Sequence, residues 1–130
     1  MLWKYKIELE RDSVFKEYEQ KYGISFSSEL IEFIRKANGA TPENSYIKLN
    51  DKEYEIGAVL SFNKDDSDVD LFKTAMLIGI DNRYIPFAVS PDGDYFCVDS
   101  NNYICYWSHE ENKIMVSDIV IGELEEKLYQ

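Results

Sequence analysis

No apolar run in this chain approaches the ~20 residues that a helix needs to cross a bilayer, so a membrane-spanning helix is excluded. Its six glycines are scattered singly, and no glycine-rich loop is available to cradle a phosphate. His109 is the single histidine, and no G-x-S-x-G elbow occurs, so a nucleophile would have no base to spare beyond it. Basic residues are few: 14 against 25 acidic ones, a net charge of −11. Such a field repels nucleic acid and anionic lipid and attracts a basic partner, although it also serves plain solubility. The first dozen residues carry a lysine or glutamate every few positions and hold no signal-peptide core. A cytoplasmic protein with its two cysteines reduced is therefore expected.

What is present is a folded composition, 45% hydrophobic and 15% aromatic, in 130 residues, the length of one domain (1–130). The chain centres on residues 84–107, three apolar runs separated by two turn signals, the pattern of a β-meander. Pro91-Asp92-Gly93 forms the first turn, with Gly93 taking the left-handed position, and Ser100-Asn101-Asn102 forms the second. A three-residue second loop sets Cys97 opposite Cys105, Tyr95 opposite Trp107 and Asp99 opposite Tyr103. Phe96, Val98, Ile104 and Tyr106 then share the other face. Because both faces are apolar or aromatic, this hairpin is expected to be covered on both sides. The facing cysteines permit a disulfide, but two buried thiols packing as small hydrophobes is the preferred reading.

Around this centre, residues 2–9 alternate (Trp3, Tyr5, Ile7 and Leu9 on one side) and predict a strand. Asp12 or Ser13 can cap a helix ending at Gly23. Ser27 caps a second, with Phe26 and Ile31 stapled across the cap and Leu30, Ile31, Phe33, Ile34 and Ala37 on the buried stripe; Asn38-Gly39 stops it. Residues 45–62 read as strands that turn at Asn50-Asp51. A short helix is expected near Val69 to Ala75, then a strand at 113–116. Ser117 is expected to cap a closing helix with Val120, Ile121, Leu124 and Leu128 on one face. The order predicts an α+β fold with a mainly antiparallel sheet flanked by helices.

The chemistry-bearing candidates fail one by one. Asp66, Asp68 and Asp70 open like a calcium loop, but Leu71 and Leu77 stand where glycine and glutamate are required. Cys97, Cys105 and His109 lack a fourth zinc ligand. Asp92 and Asp94 flank a turn glycine and read as turn formers, and His109 reads as part of a solvated polar turn. No metal, cofactor or catalytic residue is expected, and no enzyme.

Four segments, however, carry a family resemblance. GISFSSELIEFIRKANGATP is similar to the SUKH superfamily step in which a glycine-x-x-leucine-proline entry leads into a helix ending in asparagine-glycine-glycine. YIPFAVSPDGDYFCVD followed by YICYWSHE resembles its strand–turn–strand core, and SDIVIGELEEKL its final helix. Ser27 stands where that family often has proline, and Ala40 replaces the second glycine. The resemblance covers roughly residues 13–128 and implies a non-catalytic α+β domain. Bacterial members are largely cytoplasmic immunity proteins that bind and inhibit a polymorphic toxin, often a nuclease; fungal relatives are signalling scaffolds. The resemblance thus implies a cognate toxin, basic in character, as partner, with a general interaction scaffold as the alternative. The domain is expected as a monomer or weak homodimer that contacts neither nucleic acid nor membrane directly. Charge density places the partner contact on Asp51, Glu53, Glu55, Asp65, Asp66, Asp68 and Asp70, with Tyr46 and Tyr54 as aromatic anchors.

Overall fold

A computed structural model describes residues 2–63, 75–76 and 83–130. The strands are β1 (Trp3–Lys4), β2 (Thr41–Pro42), β3 (Tyr46–Leu49), β4 (Lys52–Glu55), β5 (Ala58–Val59), β6 (Ile85–Val89), β7 (Tyr95–Val98), β8 (Tyr103–Ser108) and β9 (Lys113–Val120). The helices are α1 (Val14–Tyr22), α2 (Ser28–Ala37) and α3 (Leu124–Lys127), the last entered through a 3₁₀ turn at Ile121–Glu123. Strands β5 to β9 form one antiparallel sheet in sequence order, while β1–β2 and β3–β4 form separate antiparallel pairs. This is the expected α+β architecture.

The central hairpin has the predicted register. Cys97 pairs with Cys105 and Tyr95 with Trp107, and the Asp99 amide donates to the Tyr103 carbonyl. All four residues of β7 are buried, so the sheet is covered on both faces there. Gly93, at φ 90°, closes the first turn, where no L side chain would sit comfortably. Asn50 and Asp51, at φ 51° and 67°, close the β3–β4 hairpin with two left-handed residues, the geometry that matches the natural strand twist. Both cysteines are free and buried. Burial, followed by the field of Cys105, pushes the Cys97 thiol well up; burial, followed by the field of Asp99, pushes Cys105 up to about 12.

Helix α2 follows its sequence signals. The Ser27 hydroxyl accepts from the Leu30 amide at 3.1 Å; Leu30, Phe33, Ile34 and Ala37 are buried, while Ile31, at the edge of the stripe, is only half-buried. Phe33 meets Phe87 of β6 edge-to-face at 5.6 Å, which seats α2 on the sheet. Helix α1 starts after Ser13, but no side chain caps it; Asp12 pairs instead with Arg35 of α2 at 3.5 Å. Phe15, Tyr18 and Phe26 converge on Phe62 from the other side.

Two expectations fail for physical reasons. Residues 2–9 are not one strand. Only Trp3–Lys4 pairs, and Tyr5 sits at φ 61° with 82% of its surface exposed. Beyond it the chain is held, in place of a ladder, by one backbone bond from the Ile7 amide to the Asn38 carbonyl (2.8 Å) and by two asparagine side chains. Asn38, fully buried, donates to the Ile7 carbonyl (3.0 Å) and accepts from the Phe62 amide (2.8 Å). Asn63 donates to the Glu8 carbonyl (2.9 Å) and accepts from the Glu10 amide (3.0 Å). An amide side chain offers the same donor and acceptor as a peptide unit, so it substitutes for a strand edge. Nor does Ser117 cap a helix. β9 runs on to Val120, and the Ser117 hydroxyl accepts from the Ile119 amide beside the irregularity in the β8–β9 register. The helical turn begins at Ile121, where the Glu123 carboxylate accepts from the Val120 amide. Ile121, Leu124 and Leu128 are buried as expected. Of the short helix expected before the meander, only Ala75 lies among the described residues; it is helical, as is Met76 after it.

Candidate functional site

The pairing of Tyr95 with Trp107 brings two turns to the same end of the sheet: 90–94, which enters β7, and 109–112, which leaves β8. Asp94 joins them. Its Oδ2 accepts from the Tyr106 hydroxyl (2.6 Å), and its Oδ1 accepts from the His109 amide (3.0 Å) and lies 2.5 Å from His109 Nδ1. Burial of Asp94 works to raise its pKa, but these hydrogen bonds outweigh it and hold the carboxyl below its usual value. Burial and the bond to Asp94 push the Tyr106 phenol well up, so the hydroxyl remains a donor. His109 is therefore not merely solvated, and Asp94 is more than a turn former: the two residues lock the adjacent turns together.

The β3–β4 hairpin lies across this end. Backbone hydrogen bonds between Tyr46 and Tyr129 in both directions fix it (3.0 and 2.9 Å), as does a bond from Asn50 Nδ2 to the Val116 carbonyl (3.0 Å). Tyr54 then rests on Tyr106, with ring centroids 4.3 Å apart, and its hydroxyl meets the Met115 sulfur at 3.5 Å. Between hairpin and sheet opens a cleft of about 590 Å³. Its lining carries six carboxylates (Glu53, Glu55, Asp92, Asp94, Glu110 and Glu111) against two lysines, Lys52 and Lys113. Glu53 also accepts from the Tyr129 hydroxyl at 2.6 Å, a bond that pushes that phenol up to about 12.

The expected contact residues are divided by the structure. Tyr46, Glu53, Tyr54 and Glu55 all line the cleft. Asp51 lies on the exposed turn of the β3–β4 hairpin and is not among the lining residues. Asp65, Asp66, Asp68 and Asp70 lie outside the described residues. Of the other lining residues, the sequence places Asp92 and Asp94 in a turn and Tyr106 on a hairpin face, and it gives no contact role to these or to Glu110, Glu111 and Met115. Among the described residues no cluster of three or more histidine, cysteine or acidic side chains is arranged to hold a metal, and no helix is long and apolar enough to cross a membrane.

The sequence model of the SMI1/KNR4 family (SUKH-1) matches residues 11–120, which include both helices α1 and α2 and the whole meander. The chain belongs to that family. SUKH-1 domains are generally non-catalytic immunity or regulatory modules, and the cleft of this one is lined by carboxylates, tyrosines, two serines, two lysines and the Met115 thioether. No curated protein matches the chain.

Proposed function

We propose that this SUKH-1 domain is a cytoplasmic immunity protein that binds and neutralises a cognate basic toxin, a nuclease, through the acidic cleft. The observation that carries the reading is the set of six carboxylates lining a cleft that also presents the Tyr54–Tyr106 ring pair, in a member of this family. A nuclease presents a cationic surface to its polyanionic substrate. An acidic cleft matches such a surface and draws it in at a steered rate. The carboxylates at Asp65, Asp66, Asp68 and Asp70 would add to that long-range field.

Co-expression with the neighbouring gene product, capture at low salt and a nuclease assay at equimolar ratio test the reading. One basic nuclease is expected, and its activity should be abolished by the domain. The exposed substitutions Glu55→Gln, Asp92→Asn and Glu110→Gln together should slow association by roughly ten-fold or more at low ionic strength and flatten its salt dependence. An unchanged association rate would remove the cleft from the interface. Recovery of a partner that is neither basic nor toxic would replace the immunity reading with the scaffold one.

A further inference from the structure

The floor of the cleft differs in chemistry from its rim. Tyr54 and Tyr106 form a tilted ring pair, backed by Phe96 edge-to-face against Tyr106 at 5.0 Å. At the end of this floor stands Asp94, whose side chain is only 14% exposed. An ionised carboxylate offers about four acceptor positions. Tyr106 and the two His109 nitrogens account for three at Asp94, so capacity for a further donor remains. The chain already brings an ammonium of its own to the aromatic part: Lys52 Nζ lies 5.5 Å from the centre of the Tyr54 ring. The floor thus pairs an aromatic surface that attracts cations with a rigidly held, partly desolvated carboxylate.

We infer that the floor is a receptor for one arginine side chain of the partner. The guanidinium stacks at the Tyr54–Tyr106 pair, displaces Lys52 and donates to Asp94. The inference rests on the basic-partner reading for its occupant and goes further in naming the group recognised. Arginine fits better than lysine because a planar guanidinium stacks on a ring and still presents donors from its edge. An ammonium is compact and more strongly hydrated. The rim carboxylates supply attraction at a distance, and the floor supplies the specific contact.

The probe is Nα-acetyl-arginine amide, titrated into the full chain and followed by NMR, with the neutral isostere Nα-acetyl-citrulline amide as control. The arginine probe should shift Tyr54, Tyr106 and His109 resonances saturably, and citrulline should not. Asp94→Asn and Tyr54→Ala should each weaken the response by roughly five-fold or more, as loss of a buried contact residue does. Because Asp94 also ties two turns together, Tyr54→Ala is the decisive variant, and amide resonances outside the cleft that match the parent's establish that it folds. Equal responses to both probes, shifts spread evenly over the acidic surface, or an undiminished response in Tyr54→Ala would each overturn the receptor. Failure here is separable from failure of the toxin reading. Saturation by the arginine probe with no toxin recovered keeps the receptor and removes the toxin. A toxin bound equally by Tyr54→Ala and the parent removes the receptor and leaves the toxin.

Discussion

Replacing Asn38 with alanine should cost this domain a large share of its stability, and the size of the loss follows from two hydrogen bonds. The side chain is fully buried and joins the C-terminus of α2 to two other segments through the Ile7 carbonyl and the Phe62 amide. Truncation leaves the buried Phe62 N–H without its acceptor, at about 1–3 kcal/mol, and removes a donor from Ile7 at about 0.5–1.5 kcal/mol. The combined loss of roughly 1.5–4.5 kcal/mol compares with a total of about 5–15 kcal/mol for a typical domain. It should lower the thermal midpoint by about 10 °C. Urea unfolding followed by the fluorescence of Trp3 and Trp107 measures it directly. A loss under about 0.5 kcal/mol would refute the reasoning, since it would mean that neither bond carries a net benefit. Asn38→Asp adds a second test with a definite sign. The new carboxyl still accepts from Phe62, but only its protonated form can donate to Ile7, so burial raises its folded pKa above the unfolded ~3.9. Stability is then fully present below the unfolded pKa and is lost as pH rises through the folded one. The deficit relative to the parent should be smaller at about pH 4 than at pH 7; a deficit independent of pH would contradict the argument.

Two further outcomes are expected. Cys97 and Cys105, buried and with raised pKa values, should resist thiol reagents at mildly alkaline pH until the domain unfolds, so the labelling rate should follow unfolding under increasing urea; rapid labelling of the native state would contradict their placement. The depressed pKa of Asp94 stabilises the fold above the unfolded carboxyl value, a contribution lost as pH falls through the folded one, so Asp94→Asn should flatten the pH dependence of the thermal midpoint below about pH 4; an unaltered acid limb would argue against those bonds.

The central hairpin was legible because its chemistry is local. Turn residues at 91–93 and 100–102 fix loop length, and loop length fixes register. That register already implies that the turns carrying Asp94 and His109 lie side by side, although taken singly the two residues look like a turn former and a solvated turn residue. Half of the cleft was therefore present in the sequence as a consequence not followed. The other half was not legible. Nothing in residues 45–56 says that their hairpin lies over Tyr106, because that placement depends on Tyr46 meeting Tyr129 and Asn50 meeting Val116, pairs distant in the chain. Period two in residues 2–9 misled for a related reason: alternation reports a half-buried extended segment, not what its backbone bonds to. Here the partners are Asn38 and Asn63, whose amides leave no periodic trace. At the other end, Ser117 met the composition of a helix cap, but continued pairing with β8 won over local preference.

Asn38 also bears on how this molecule ages. An asparagine followed by glycine is chemically fragile, since the next backbone nitrogen can attack the side-chain amide and expel ammonia. In the folded chain that nitrogen, on Gly39, donates to the Leu60 carbonyl at 3.1 Å, and the Asn38 amide is held at both ends. The reaction must wait until the segments around Ile7 and around Leu60 and Phe62 release Asn38 and Gly39. Each event then puts an acid where an amide closed the structure, so the opened form cannot reclose as before. The lifetime of a stored preparation is in this way set by the same local opening that hydrogen exchange at Gly39 and Phe62 would report.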